Sequence, residues 1–182
     1  MALSKEEKIQ AKLDDDKYVE KIVKEFYADS EQLTLTFTKI GQPENYVRER
    51  YTSRGKRFYN KKQGIMTEMR QEFKDSLLKD ELEILGPLLS NKDAVYYVEL
   101  EMNFYLKIPK GDSIKTTVLK EKGVIRPGIR PDLDNYIKLC ADVLHDVCYD
   151  DDKRIVKIET NKYYSANPRT EIEVEIEIIS NN

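Results

Sequence analysis

The amino-acid sequence predicts an α+β domain with a small mixed or antiparallel sheet, a central helix packed on that sheet and an extra helix at the N-terminus. Four segments of strand length alternate apolar and polar residues, which is typical of strands that bury one face. Three longer segments repeat apolar residues at the spacing of one helix face. Glycines and prolines lie between the segments and indicate turns. Together these patterns favour a sheet with helices packed against it.

The chain begins with a predicted helix over residues 5–28, because apolar side chains recur every three to four positions in its second half. We treat residues 1–30 as an N-terminal helical extension and residues 31–182 as the main domain. A strand is expected over residues 32–39, where apolar residues alternate with threonines, and the turn at Gly41 to Pro43 ends it.

The middle of the chain predicts a helix, a strand and a loop. The helix covers residues 66–85 and is ended by Gly86 and Pro87. Residues 94–108 are rich in valine, tyrosine and phenylalanine with alternation, which indicates the next strand. Residues 109–130 combine glycines, prolines and lysines without a clear period, so we expect a long mobile loop there.

The central helix is predicted to begin at Pro131 and Asp132. Two strands follow, over residues 155–164 and 170–179, joined by a short turn. In the last strand isoleucines and a valine are expected to face inward, while four glutamates face solvent. The predicted apolar face of the central helix consists of Leu133, Ile137, Cys140, Ala141, Leu144 and Val147.

Composition describes a globular protein with a heavily charged surface. Apolar residues make up 40% of the 182 residues and charged residues 36%, which disfavours a disordered chain. No apolar run approaches the roughly 20 residues that a membrane helix needs, and the N-terminus lacks the apolar core of a signal peptide. A cytoplasmic location is therefore expected.

Cysteine and histidine residues offer no catalytic or metal-binding pattern. Cys140 and Cys148 fall on the predicted central helix, about 12 Å apart at 1.5 Å per residue, which is too far for a disulfide. His145 is the single histidine, so the spacing of a zinc site is absent from the sequence. We expect His145 to be structural.

A basic segment follows the first predicted strand. The net charge of −3 mildly disfavours nucleic-acid binding, but residues 46–62 carry seven basic residues against the single acid Glu49. A local basic patch can attract DNA although the whole molecule is acidic. The alternative is a solvated loop without a DNA-binding role. The residues predicted to contact DNA in this segment are Arg48, Arg50, Arg54, Lys56 and Arg57.

Three aspartates flank the predicted central helix and point to metal chemistry. Asp132 and Asp134 stand at its start, Lys138 lies one turn further, and Asp152 lies beyond its end. A connection that doubles back along the helix would bring Asp152 towards the first pair. Mg²⁺ prefers carboxylate oxygens and keeps water and substrate phosphate as its other ligands. This arrangement therefore suits phosphodiester hydrolysis, with Lys138 beside the scissile phosphate.

A simpler interpretation explains the same aspartates without a metal. Asp132 would cap the helix, Asp134 would pair with Lys138 at i,i+4, and residues 150–152 would form a solvated turn. Aspartates near helix ends are common, so spacing by itself does not decide between the two interpretations.

The stretch from Arg130 to Lys138, Arg-Pro-Asp-Leu-Asp-Asn-Tyr-Ile-Lys, resembles the RusA family of Holliday-junction resolvases. The resemblance continues, in order, through residues 141–144, 149–155, Lys162 and 167–169. It covers about fifty residues and includes the core Asp-x-Asp-Asn-x-x-Lys. Residues 1–30 have no counterpart in the family, and residues 109–129 look like an enlarged insertion.

The resemblance implies a set of functional residues. The family's metal-binding and catalytic aspartates fall on Asp132, Asp134 and Asp152, and its functional lysine falls on Lys138. Since three aspartates are consecutive here, a shift of one residue would make Asp151 the third ligand instead. Lys162 is carried over as a further DNA-binding residue.

The resemblance also implies an activity. It predicts a Mg²⁺-dependent endonuclease, with Mn²⁺ as an alternative ion, that nicks four-way DNA junctions as a homodimer in DNA recombination and repair. Such resolvases are often carried by phages and prophages. Two alternatives stay open: a DNA-junction-binding protein of the same fold without cleavage, and a nuclease for other branched DNA.

Overall fold

A computed structural model describes residues 4–28, 30–46 and 63–179, which include a four-stranded sheet and six α-helices. The strands are β1 (Glu31–Ile40), β2 (Val95–Lys107), β3 (Ile155–Ser165) and β4 (Arg169–Ile179). The helices are α1 (Lys5–Leu13), α2 (Asp16–Phe26), α3 (Gln63–Ser76), α4 (Lys79–Ser90), α5 (Ile114–Glu121) and α6 (Leu133–Leu144), and a short 3₁₀ turn covers Asp152–Arg154.

The sheet is mixed, with the strand order β1-β4-β2-β3. Strand β4 pairs antiparallel with β1 on one side and with β2 on the other, whereas β2 and β3 run parallel. Parallel neighbours need a crossover connection, and here it contains α5 and α6. The predicted α+β class with a mixed sheet and a central helix is confirmed.

Helix α6 packs on the apolar face of the sheet. Leu139 and Val143 of the helix are fully buried, as are Phe104 of β2 and Val174 of β4. The ring of Tyr136 stacks on Phe104 with a centroid separation of 4.9 Å. This stacking and burial hold α6 against the two central strands, β2 and β4. The first residues of α6 and its solvent-exposed side therefore have a defined position relative to β3.

The buried stripe of α6 differs from the predicted one. Leu133, Ile137 and Ala141 are half-buried, and the residues of the helix that are buried are Tyr136, Leu139, Cys140, Val143 and Leu144. Apolar side chains occupy most of the circumference of this helix. Contact with the sheet, rather than the spacing of the apolar residues, therefore selects the buried side.

Two predictions for the middle of the chain are wrong in part. Residues 66–85 belong to two helices, α3 and α4, and Pro87 lies inside α4 instead of ending a helix. The predicted mobile loop at 109–130 contains α5, whose start is capped by the Ser113 hydroxyl accepting a bond from the Thr116 amide at 3.2 Å. A buried ion pair of 2.6 Å between Lys120 and Asp112 further fixes this helix.

The N-terminal extension consists of two short helices with no buried residue in either. The predicted single helix is interrupted at Asp15, whose carboxylate caps α2 by accepting a bond from the Tyr18 amide at 3.1 Å. Side chains on the apolar side of α2, such as Ile22 and Phe26, are 41% and 49% exposed. The division into 1–30 and 31–182 stays a prediction.

No helix in residues 4–28, 30–46 and 63–179 has the length and apolar character needed to cross a membrane.

Candidate active site

Asp132 occupies the N-cap position of α6, with extended backbone angles of φ −70° and ψ 152°. Its carboxylate makes no capping hydrogen bond to the helix. A cap would normally accept a bond from a backbone N–H of the first turn. The simpler interpretation, in which Asp132 caps the helix, is therefore wrong for the side chain, and the exposed carboxylate keeps its oxygens for another ligand.

Asp134 and Lys138 lie on the solvent side of α6 and do not form the expected i,i+4 ion pair. The Asp134 carboxylate accepts a bond of 3.2 Å from the side-chain amide of Asn135. The Lys138 ammonium lies 4.3 Å from the ring centroid of Tyr46, a distance suited to a cation–π contact. The Tyr46 amide in turn donates to the carbonyl of Asn135 at 2.8 Å. The chain therefore enters the basic segment from a position beside Lys138.

Asp150, the first aspartate of the acidic turn, is part of a structural network. Its carboxylate accepts bonds from the Tyr96 hydroxyl and from Nε of Arg154, the latter at 3.0 Å. The bond from Arg154 is the main cause that lowers the pKa of Asp150. Burial, and then the bond to Asp150, raise the pKa of Tyr96 to about 12. Arg154 also donates to the Ala94 carbonyl at 2.9 Å, so this network ties the turn to the start of β2.

Asp151 and Asp152 differ in how their carboxylates are used. Asp151 caps the 3₁₀ turn by accepting a bond of 3.0 Å from the Lys153 amide, and it lies 3.1 Å from the Lys153 ammonium. These hydrogen bonds, that from the amide first, lower the pKa of Asp151. Asp152 is exposed, and its side chain makes no hydrogen bond or ion pair with the parts of the chain that the structure describes. Of the two candidates, Asp152 has the carboxylate that the turn does not use.

Asp142 is a charged residue of the site that the sequence interpretation missed. It lies one helical turn after Lys138, and burial is the largest cause that raises the pKa of its carboxyl group. Lys138 acts to lower this pKa and Asp152 acts to raise it, so both charges lie near Asp142. Two signals in the sequence could have indicated this residue: its i,i+4 spacing from Lys138 and its place in residues 141–144, through which the family resemblance continues.

The charged residues of the candidate site therefore include two neighbouring groups. Asp132 lies near Lys162 at the start of α6, while Lys138 and Asp152 both interact electrostatically with Asp142 near the end of the helix. Among residues 4–28, 30–46 and 63–179, no three Asp, Glu, His or Cys side chains are close enough to form a metal-binding cluster. The structure does not bring Asp132, Asp134 and Asp152 together in that way.

The carboxylates at the start of α6 nonetheless have the donor chemistry that a divalent cation needs. Mg²⁺ is commonly held by one or two carboxylates, with water and substrate phosphate as its remaining ligands. Asp132 and Asp134 are exposed oxygen donors two residues apart, and neither is used by a helix cap or an ion pair in the described residues. The pair therefore fits a site that is completed by substrate.

Lys162 of β3 lies on the helix-covered side of the sheet. Its ammonium donates to the carbonyls of Ile129 and Pro131 at 2.7 and 3.0 Å and lies 5.9 Å from the ring centroid of Tyr136. Burial lowers the pKa of Lys162, and the charge of Asp132 acts in the opposite direction. The predicted DNA-binding residue thus directs its ammonium at the loop that precedes Asp132.

The remaining predictions concern the basic segment and the cysteines. Cys140 and Cys148 are free and buried, and burial raises the pKa of the Cys140 thiol to about 12. Neither thiol is therefore a nucleophile at neutral pH. The five basic residues predicted to contact DNA lie outside the described residues; they are Arg48, Arg50, Arg54, Lys56 and Arg57.

Comparison with known proteins identifies two similarities. The family model of endodeoxyribonuclease RusA matches residues 41–175. An uncharacterized protein of Bacillus subtilis (strain 168), YqaN, is 38% identical over 77 residues, which cover 41% of this chain and 54% of that protein. The matched region of YqaN thus spans about half of its length. The family match includes all the aspartates and lysines of the candidate site.

Proposed function

Because the chain belongs to the RusA endodeoxyribonuclease family, we propose that it resolves four-way DNA junctions by paired, Mg²⁺-dependent nicks during recombination and repair. The family supports an endonuclease that acts on Holliday junctions, a branched DNA substrate. One observation in the structure supports catalysis in particular. The Asp132 carboxylate stands at the N-cap position of α6 without making a capping bond, so capping does not account for its presence.

Nucleases of this family generally depend on divalent metal ions. In our proposal Asp132 and Asp134 hold Mg²⁺, or Mn²⁺ in its place, and Asp152 completes the set when substrate is bound. We favour Asp152 over Asp151 because the Asp151 carboxylate is already engaged by Lys153. The bound ion would polarise the scissile phosphate and lower the pKa of an attacking water.

Lys138 supplies positive charge beside the reacting phosphate. Its ammonium contacts the face of Tyr46 and pairs with no carboxylate within 4 Å in the described residues. A cation held in this way can stabilise the additional negative charge that develops on the phosphate in the transition state. Asp142, one turn further, would hold the lysine side chain on this side of the helix through charge attraction.

DNA recognition would come from phosphate contacts and from symmetry. The basic segment begins next to Tyr46, and Tyr46 lies beside Lys138. The segment that carries these arginines and lysines therefore starts close to the proposed site. Phosphate contacts position a duplex without reading its sequence. A two-fold homodimer would present two such sites and cut two symmetry-related strands of one junction.

The test is cleavage of a synthetic four-way junction and of a linear duplex with Mg²⁺ or with EDTA. We would compare the native chain with Asp132→Asn and with the control Asp146→Asn. Asp146 is exposed and has φ 63°, a conformation that asparagine readily adopts, so the control should keep its structure. We expect paired, Mg²⁺-dependent nicks in the junction only, lost in Asp132→Asn and kept in Asp146→Asn.

Other outcomes select the alternatives. Tight junction binding without cleavage in Mg²⁺ or Mn²⁺ would favour a non-catalytic junction-binding protein. Cleavage of flaps or forks in preference to four-way junctions would favour a nuclease for other branched DNA. Undiminished cleavage by Asp132→Asn would remove this carboxylate from the catalytic site.

A further inference from the structure

Lys162 makes two hydrogen bonds to the backbone of residues 129 and 131, just before Asp132, which is the first proposed metal ligand. A lysine ammonium has three N–H donors. Here it donates to the carbonyls of Ile129 at 2.7 Å and Pro131 at 3.0 Å. Pro131 is the residue immediately before Asp132, so two bonds from the sheet fix the backbone that carries this carboxylate.

The end of the loop that Lys162 holds, next to Asp132, has few other attachments, whereas the part before it is fixed by Ile125, which packs against the core, and by the buried Pro127. Val124 and Ile129 are 68% and 54% exposed, and in the described residues no other hydrogen bond involves residues 129–131. The Arg126 guanidinium lies 3.9 Å from the ring centroid of Tyr163, which is the next residue of β3 after Lys162. Adjacent residues of one strand therefore attach the loop at two points. Only the Lys162 contact reaches the residue beside Asp132.

Pairing of strand β3 with β2 sets the position of Lys162 for this contact. The parallel register of the two strands sets Lys162 beside Phe104, a fully buried residue that stacks on Tyr136 of α6. Lys162 thus spans from the sheet to the loop at the point where α6 begins. The Asp132 position depends on α6 from one side and on Lys162 from the other.

We propose that Lys162 is a positioning residue, whose ammonium holds the carbonyls of Ile129 and Pro131 so that the Asp132 carboxylate is presented correctly to the metal ion. This role replaces the DNA contact predicted for Lys162 from the sequence, and it rests on the proposed metal-dependent function. Partners that orient a metal ligand typically change metal affinity or activity by about 10–100-fold when they are removed. We expect a loss of this size.

The test uses Lys162→Met, which keeps the length of the side chain but removes its donors. The control is Lys157→Met on the same strand, where the native ammonium makes an exposed ion pair of 2.7 Å with Glu99. Three quantities are measured: Mn²⁺ affinity by isothermal titration without DNA, junction affinity in EDTA at several salt concentrations, and the single-turnover cleavage rate. Thermal melting establishes that each variant is folded.

We expect Lys162→Met to bind Mn²⁺ about 10–100-fold more weakly and to cleave more slowly by a similar factor. Its junction affinity in EDTA, and the dependence of that affinity on salt, should equal those of the native chain. Lys157→Met should match the native chain in all three measurements. Lys162→Cys treated with bromoethylamine should regain Mn²⁺ affinity, because alkylation restores an ammonium at nearly the same place. Cys140 and Cys148 are buried and should not compete for the reagent.

Two results would overturn the proposal. Unchanged Mn²⁺ affinity in a folded Lys162→Met would show that the lysine does not position the ligand. Weaker junction binding in EDTA, with a salt dependence reduced by about one phosphate contact, would return Lys162 to the DNA interface. A native chain that binds Mn²⁺ but cleaves no junction would refute the proposed function instead, and the comparison of Mn²⁺ affinities would still decide the role of Lys162.

Discussion

The two faces of the sheet differ in how they use charge. The face covered by α6 buries apolar residues, and its charged groups lie at the rim in defined contacts, as in the bonds of Lys162 to two carbonyls. The other face carries glutamates on adjacent strands, and Glu101 of β2 stands directly opposite Glu173 of β4. The acidic residues of this face are Glu99, Glu101, Glu159, Glu171, Glu173, Glu175 and Glu177.

In the proposed function, this difference would set the side from which DNA approaches. Phosphates are repelled by a surface of like charge and attracted by basic residues. Lys138, and Tyr46 from which the basic segment continues, lie on the α6 side. The acidic face would therefore keep DNA away from the wrong side of the molecule, although it contains no catalytic residue of the proposal. A sheet with two different faces can thus contribute to substrate orientation as well as to folding.

The largest effect should come from the covered face. Leu139→Ala removes a side chain of α6 that is 0% exposed, and we expect the free energy of unfolding to fall by about 2–5 kcal/mol. The matched control is Ile158→Ala on the edge strand β3, since Ile158 is 44% exposed. Urea denaturation should show a clearly smaller loss for the control, because less apolar area leaves water there. Equal losses would mean that α6 does not form the core described above.

The sequence predicted the strands well, and the reasons are local. Strand β4 was expected over 170–179 and is observed as Arg169–Ile179, because an alternation of period two leaves one arrangement that buries every apolar residue on one face. Helix α5 was missed because its start depends on one capping bond and its end on the buried contact of Lys120 with Asp112. Neither contact produces an apolar pattern.

The candidate site was predicted in part for a similar reason. Asp132, Asp134 and Lys138 are close in sequence, so helix geometry and the family resemblance were enough to select them. The proposed role of Lys162 depends on bonds to residues 31 and 33 positions earlier, which the parallel pairing of β3 with β2 makes possible. A contact of that kind follows from the topology of the sheet and could not be read from spacing.

A smaller effect is expected from the charged network at the rim of the covered face. Asp150→Asn should lower the free energy of unfolding at pH 7 by about 1–3 kcal/mol, since it removes a charged acceptor of bonds from Arg154 and Tyr96. The folded-state pKa of Asp150 is lowered, so its ionised form adds stability above the ordinary value of about 3.9. This contribution is lost as the pH falls through the lowered pKa.

Urea denaturation of both chains between pH 7 and pH 2 provides the measurement. The difference in stability should be constant near neutral pH and should shrink in the acid range. Asp152→Asn serves as the control, because no hydrogen bond or ion pair of the described chain engages that side chain. A difference that stays the same at pH 2 would assign the effect of Asp150→Asn to packing and not to charge.

The smallest effect should come from the acidic face, and its sign should be opposite. Glu173→Gln removes one of two like charges that face each other across β4 and β2, and such pairs cost about 0.2–1 kcal/mol. We therefore expect unfolding to require slightly more denaturant than in the native chain. The gain should shrink in 1 M salt, because screening shortens the range of the repulsion to about 3 Å. Glu20→Gln on α2, whose native carboxylate forms no ion pair with the described residues, should leave stability unchanged. If Glu173→Gln instead destabilises the chain, the acidic face must be stabilised by a cation or a basic partner, and its part in orienting DNA would need another explanation.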